Sequence, residues 1–141
     1  MIVIVGHGPS SGHAPPFEQH TVVRLLTAGY DKPGRHAPHP GERTDFTCST
    51  QEKYEPDWLI KGELDHLCRS TLAPYKPKNP KPSTGLCACI IARHLYPDEE
   101  IRVVGFDWTL NPDLAINYIH DAYAEHECLK SLDITEYGRV L

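Results

Sequence analysis

The chain opens on an unbroken apolar run, Met1–Val5, closed by Gly6. A β-branched run of this length predicts a strand buried on both faces, as in parallel sheets. Thr21–Leu26, closed by Ala28-Gly29, predicts a second strand, and Asp57–Ile60 a short third. Glu63–Leu72 then spaces Leu64, Leu67, Cys68 and Leu72 at helical intervals. Ser83 to Tyr96 is mostly apolar and predicts a buried helix, and Ile101–Phe106 predicts another buried strand, ended by Gly105 and Asp107. Asp113 through Leu132, with Leu114, Ile116, Ile119, Tyr123 and Leu129 among its apolar positions, predicts one last long helix. Residues 31–57 show little periodicity and are expected to form an irregular excursion, the kind of long loop that often serves function.

Strands and helices in this order predict an α/β fold with a mainly parallel sheet. At 141 residues the chain is expected to form a single domain, 1–141. Ligands of such sheets sit beyond the carboxyl ends of the strands. That edge would collect the turn Gly6–Gly12, the loop after Phe106 and the start of the Ser83 helix.

Composition narrows the partners. Most of the thirteen prolines fall in residues 9–40 and 74–82, so these stretches are expected to be ordered loops. A net charge of −5 argues against a general nucleic-acid binder, because phosphate backbones are held mainly by Lys and Arg; Lys76, Lys78 and Lys81 could still form a local basic patch. No apolar run approaches the ~20 residues of a membrane span. Ile2–Val5 is too short for a signal-peptide core and has no basic flank, so a cytoplasmic setting away from membranes is expected. The cysteines Cys48, Cys68, Cys87, Cys89 and Cys128 are odd in number and form no C-x-x-C pair, which points to reduced thiols. A small α/β domain with many loops is also a candidate for homo-oligomerisation, although no sequence feature requires it.

Three segments carry candidate chemistry. Val5-Gly6-His7-Gly8-Pro9-Ser10-Ser11 is a glycine turn after the first strand, where backbone N–H groups approach a phosphate or ribose closely. It is neither a Walker loop nor the full dinucleotide fingerprint, and a plain tight turn explains it equally well. In Pro82-Ser83-Thr84-Gly85, Pro82 suits a helix start and Ser83 or Thr84 an N-cap, leaving first-turn N–H groups and the positive dipole end for an anion. The plainer reading is a capped helix whose Gly85 permits close packing. In His120-Asp121-Ala122-Tyr123-Ala124-Glu125, an imidazole is able to accept a hydroxyl proton, and the carboxylate five residues on could orient it or bind an acceptor hydroxyl. An exposed polar face, continued by His126 and Glu127, is the competing explanation. His7, His13 and His20 with Cys87 and Cys89 match no standard zinc spacing, so no metal site is expected.

Taken together, these segments resemble the eukaryotic-type sialyltransferase family, known by short sialylmotifs in this order. Val3-Ile4-Val5-Gly6-His7-Gly8-Pro9-Ser10 resembles the start of the large motif, and His20-Thr21-Val22-Val23-Arg24 its later part. Pro82-Ser83-Thr84-Gly85, the helix through His94-Leu95-Tyr96, and Val103-Val104-Gly105-Phe106 resemble the small motif. His120 and Glu125, separated by four residues, match the very small motif; the aromatic third motif has no clear match, with Trp108 and Tyr118 as candidates for its remnants. The resemblance implies a Rossmann-like, GT-A-like variant and a metal-independent, inverting transfer of a sugar from a CMP-activated donor to a carbohydrate or other hydroxyl acceptor. It implies no cofactor beyond that nucleotide sugar as substrate. His120 and Glu125 would be the catalytic pair, and Gly6, His7, Gly8, Pro9, Ser10, Arg24, Ser83, Thr84, Gly85 and Asp107 would hold the donor. His7 and Leu26 stand where the family has donor-binding asparagines, and the bridging cysteines are replaced near Ile2 and Tyr96. A non-catalytic nucleotide or nucleotide-sugar binder and a small nucleotide-sugar hydrolase are the alternatives.

Overall fold

A computed structural model describes residues 1–6, 20–26, 44–115 and 119–137. Among them, six strands form one parallel sheet: β1 (Ile2–Val5), β2 (Thr21–Leu25), β3 (Phe46–Ser49), β4 (Trp58–Leu59), β5 (Ile101–Val104) and β6 (Thr135–Glu136). The spatial order is β4-β3-β2-β1-β5-β6, and every adjacent pair is parallel. Four helices accompany it: α1 (Glu63–Leu72), α2 (Thr84–Leu95), the short α3 (Asp107–Leu110) and α4 (Ala122–Ser131).

The side-chain period of two sorts the strand residues onto two faces. Ile2, Ile4, Val23, Leu25, Ile101 and Val103 join α1, α2 and α4 in the main core. Val3, Val5, Val22 and Val104 form a second buried cluster with Met1 and Tyr137 packed against it. Two-sided burial is why these strands read as continuous apolar runs rather than alternating ones. Within the main core α2 lies on the sheet, touching β1, β2, β3 and β5, while α1 and α4 pack against α2 and each other.

Two expectations are corrected. The excursion at 31–57 contains strand β3, because Phe46 stacks on Trp58 with ring centroids 5.5 Å apart and Cys48 is buried. Side chains complete its ladder: Asp45 Oδ2 accepts from Val22 N–H at 2.8 Å, and Asp57 Oδ2 accepts from Thr47 N–H at 2.9 Å. The long helix at Asp113–Leu132 is not continuous either. Pro112–Leu114 is a 3-10 turn, and α4 starts afresh at Ala122, capped by Asp121, whose Oδ1 accepts from Ala124 N–H at 3.1 Å. A local side-chain cap competes with helix continuation at such a residue. The expected proline-rich loop at 74–82 is present as a 3-10 turn, Ala73–Tyr75, followed by an irregular strap to α2. The rest of the other proline-rich stretch lies outside the described residues.

The strand order reverses at the centre. From β1 the chain adds β2, β3 and β4 on one side, then β5 and β6 on the other. Ligands of open α/β sheets sit in the crevice at such a reversal, beyond the carboxyl ends. Gly6 ends β1 at this point, and Gly105-Phe106-Asp107 follow β5.

Candidate functional site

Gly6 and Gly85 meet the same neighbour. A Cβ on Gly6 would come within 2.6 Å of the Gly105 carbonyl oxygen and 2.9 Å of the Phe106 ring. A Cβ on Gly85 would come within 3.0 Å of the other edge of that ring. The sheet reversal and the start of α2 are therefore packed together through Phe106; at Gly6 nothing larger fits, and at Gly85 a Cβ would require the ring to give by a few tenths of an ångström. For Gly85, the plainer reading of close packing is what the geometry supports. Asp107, the first residue of α3, is half-buried on the same edge.

The start of α2 distributes its backbone donors unevenly. A helix leaves its first N–H groups without intrahelical acceptors. Here Ser83 is the N-cap, and its Oγ accepts from Leu86 N–H at 3.2 Å. The Ser83 N–H itself donates to Glu125 Oε2 at 2.8 Å, and the Ser83 hydroxyl to Glu125 Oε1 at 2.6 Å. Among the described residues, no acceptor takes the N–H groups of Thr84 and Gly85. Those two amides point out of the positive end of α2, where an anion is favoured.

The structure places Glu125 at the cap of α2. Its side chain is fully buried, and its carboxylate bridges α4 to the cap of α2. A buried carboxylate is tolerated only when it is hydrogen-bonded, and two short donors supply that here. Sequence reading missed this role, yet a signal existed. Ala122, Glu125 and Leu129 fall at i, i+3 and i+7 on one buried face of α4, and a charge inside an apolar stripe calls for buried donors.

His120 lies just before α4 and is drawn against the start of α2. Its Nδ1 is 2.9 Å from the Lys81 carbonyl oxygen. A carbonyl only accepts, so Nδ1 carries the hydrogen, and in the neutral ring the basic lone pair is on Nε2. Two further bonds strap the segments together, and a third shapes the strap itself. Lys78 N–H donates to Asp121 Oδ2 at 2.9 Å, Asn79 Nδ2 donates to the Ile119 carbonyl at 2.8 Å, and Asn79 Oδ1 accepts from Lys81 N–H at 3.1 Å. The Lys78 N–H bond is the main reason the Asp121 carboxyl is held below its usual range. His120 opens onto a cleft of about 290 Å³, lined by Lys78, Asn79, Pro112, Ile119 and Tyr123 among others.

Other expected residues fall elsewhere. Arg24 sits on β2 in register with Val5, on the sheet face opposite α2, and its Nε donates to Thr44 Oγ1 at 2.8 Å. The structure does not bring Arg24 to the α2 corner, since the alternation along β2 that buries Val23 and Leu25 under α2 turns Arg24 the other way. His7, Gly8, Pro9 and Ser10 lie outside the described residues, as does Tyr118. His20 packs edge-on against Tyr137 at 5.6 Å, at the start of β2 and away from the corner.

All five cysteines are free and buried. Burial pushes the Cys48 thiol up to about 12 and the Cys128 thiol up to about 11. Cys89, fully enclosed in α2, is raised in the same direction by burial, and Cys87 is raised chiefly by its hydrogen bond with Cys68. Thiols held this far from ionisation are packing groups, not nucleophiles. Among the described residues no cluster of His, Cys, Asp or Glu is arranged to hold a metal ion, and no helix is long and apolar enough to cross a membrane.

No protein-family model, no curated protein sequence and no solved structure matches this chain.

Proposed function

We propose that this chain is a small glycosyltransferase of sialyltransferase type, moving a sugar from a CMP-activated donor to an acceptor hydroxyl with inversion and without a metal. The observation that carries the reading is the Nδ1–H bond from His120 to the Lys81 carbonyl, at the threshold of α2. It ties an imidazole base to the residue three before the first turn of α2, whose Thr84 and Gly85 N–H groups meet no acceptor among the described residues. The strand reversal at β1 and β5 supports reading the sheet as a Rossmann-like, GT-A-like variant.

In the proposed step, Nε2 of His120 takes the proton of the acceptor hydroxyl as its oxygen bonds to the anomeric carbon. The bond from that carbon to the phosphate oxygen breaks, and its electron pair leaves with CMP. Charge on the departing phosphate grows toward the transition state, so the Thr84 and Gly85 amides stabilise it more there than in the ground state. The Lys81 carbonyl accepts from the imidazolium so formed and keeps the ring oriented. Glu125 acts at one remove, holding the cap of α2 in place. The reaction is placed in the cytoplasm, away from membranes, as part of the same proposal.

A second reading, hydrolysis of the nucleotide sugar, is favoured by the half-buried position of His120 on an open cleft, where water reaches it. Incubation with CMP-sialic acid, following CMP release with and without galactosides, separates the two. Acceptor-dependent release is the expected result, and His120→Ala should lower it by about 10²-fold or more while CMP still binds. Release that ignores the acceptor means hydrolysis. CMP binding without any release means a non-catalytic nucleotide binder, and no binding at all refutes the site.

A further inference from the structure

The cleft at His120 has a wall that the chemistry above leaves unused. Ile119 and Tyr123 are 78% and 62% exposed, and apart from Leu95 they are the only large exposed hydrophobic residues among those described. Both line the cleft, on either side of His120 in the chain. Tyr123 is not a loose surface ring. Its hydroxyl donates to Asp113 Oδ1 at 2.5 Å, so the ring is anchored across the mouth of the cleft to the 3-10 turn at Pro112–Leu114. An exposed aromatic held by its polar tip presents a rigid apolar surface at little entropic cost. The lining also carries the polar groups of Lys78, Asn79 and Asp121, alongside Pro112, Ala115 and Ala122. At about 290 Å³ the space is at the small end of ligand sites, suited to one ring and not to a chain.

Exposed apolar groups, hydrogen-bonding groups in the same lining and single-ring dimensions match a pyranoside, which has a C–H face and a hydroxyl-bearing edge. We propose that Tyr123, with Ile119, is the platform on which the acceptor sugar ring seats, turning one of its hydroxyls toward His120. This rests on the glycosyl-transfer reading and makes Tyr123 a specificity residue of the same site.

The test is ligand-observed saturation-transfer NMR on the full chain, with methyl β-galactoside and, separately, CMP as probes. Wild type should bind the galactoside with a dissociation constant on the order of 10 mM or tighter. Tyr123→Ala should weaken this about tenfold or more and leave CMP binding unchanged, while Tyr123→Phe, which keeps the ring and loses the Asp113 bond, should stay within about threefold. Loss of CMP binding in Tyr123→Ala would overturn the proposal by making the ring a nucleobase seat. Equal losses for Ala and Phe would overturn it by making the phenol bond, not the ring face, responsible. Absence of galactoside binding to wild type would also overturn it. If the galactoside binds through Tyr123 but CMP does not bind at all, the sugar platform stands and the CMP-donor reading falls.

Discussion

Helices α2 and α4 are clasped to each other at both ends, by opposite charges. At their N-terminal ends the buried carboxylate of Glu125 takes the Ser83 N–H and hydroxyl. At their C-terminal ends the guanidinium of Arg93 spans carbonyls from both helices' exits. Its Nε donates to Leu132 O at 3.0 Å and its Nη1 to Pro97 O at 3.2 Å and Glu99 O at 2.8 Å. An anion at the starts and a cation at the ends both complement the helix dipoles. The two clasps differ in their surroundings. Glu125 is fully buried, whereas the bonds of Arg93 to Pro97 and Glu99 are exposed to water. The candidate site opens beside the dry clasp at Glu125, where helix starts also supply amide donors; the wet clasp at Arg93 holds the chain together and offers carbonyls that are already taken.

The largest effect should come from breaking the dry clasp. Glu125→Ala strands the Ser83 N–H and hydroxyl without water to replace the carboxylate, and should cost about 3 kcal/mol in denaturant unfolding. It should also loosen the strap that carries His120, so any nucleotide affinity would fall with it. Breaking the wet clasp with Arg93→Ala should cost less, about 1–2 kcal/mol, because water solvates the released carbonyls. Arg93→Lys should recover little, since one ammonium cannot span the same set of acceptors. The two ends share no partner, so the double variant should be additive within about 0.5 kcal/mol.

The smallest effect concerns Asp121, which caps α4 and ties Lys78 to it. Its carboxyl is held low in the folded state, so on mild acidification the unfolded chain binds the proton first. The stability it contributes is present above the ordinary carboxylate range and is lost as pH falls through that range and below. Asp121→Asn should flatten the acid side of the stability profile, measured by thermal unfolding at successive pH values. An unchanged profile would remove Asp121 from the strap.

Much of this fold was legible in the sequence where local pattern and tertiary burial agree. Leu64, Leu67, Cys68 and Leu72 define α1 over the bounds their spacing predicts, and Ser83 caps α2 where a cap was expected. Strand β3 was hidden because Asp45 and Asp57, from outside its core run, complete its ladder, and the two-residue β6 is too short to show any period. The apolar periodicity of Ile119 and Tyr123 misled, since both face the cleft and not a core. In the site, the segments at Ser83 and His120 were legible and the structure brings them together. The role of Glu125 was not, because its partner is 42 residues away and only folding makes them neighbours. The place of Arg24 follows from a simpler rule: a period of two assigns it to the face opposite α2.

The most direct test of the central claim is a titration of ¹⁵N-labelled protein with CMP, followed by the backbone amide resonances. If α2 opens a phosphate seat, the Thr84 and Gly85 amides should move most, His120 should respond through the strap, and the carbonyl-rich end around Arg93 should stay still. Shifts that leave Thr84 and Gly85 unmoved, or that centre on the Arg93 end, would contradict it.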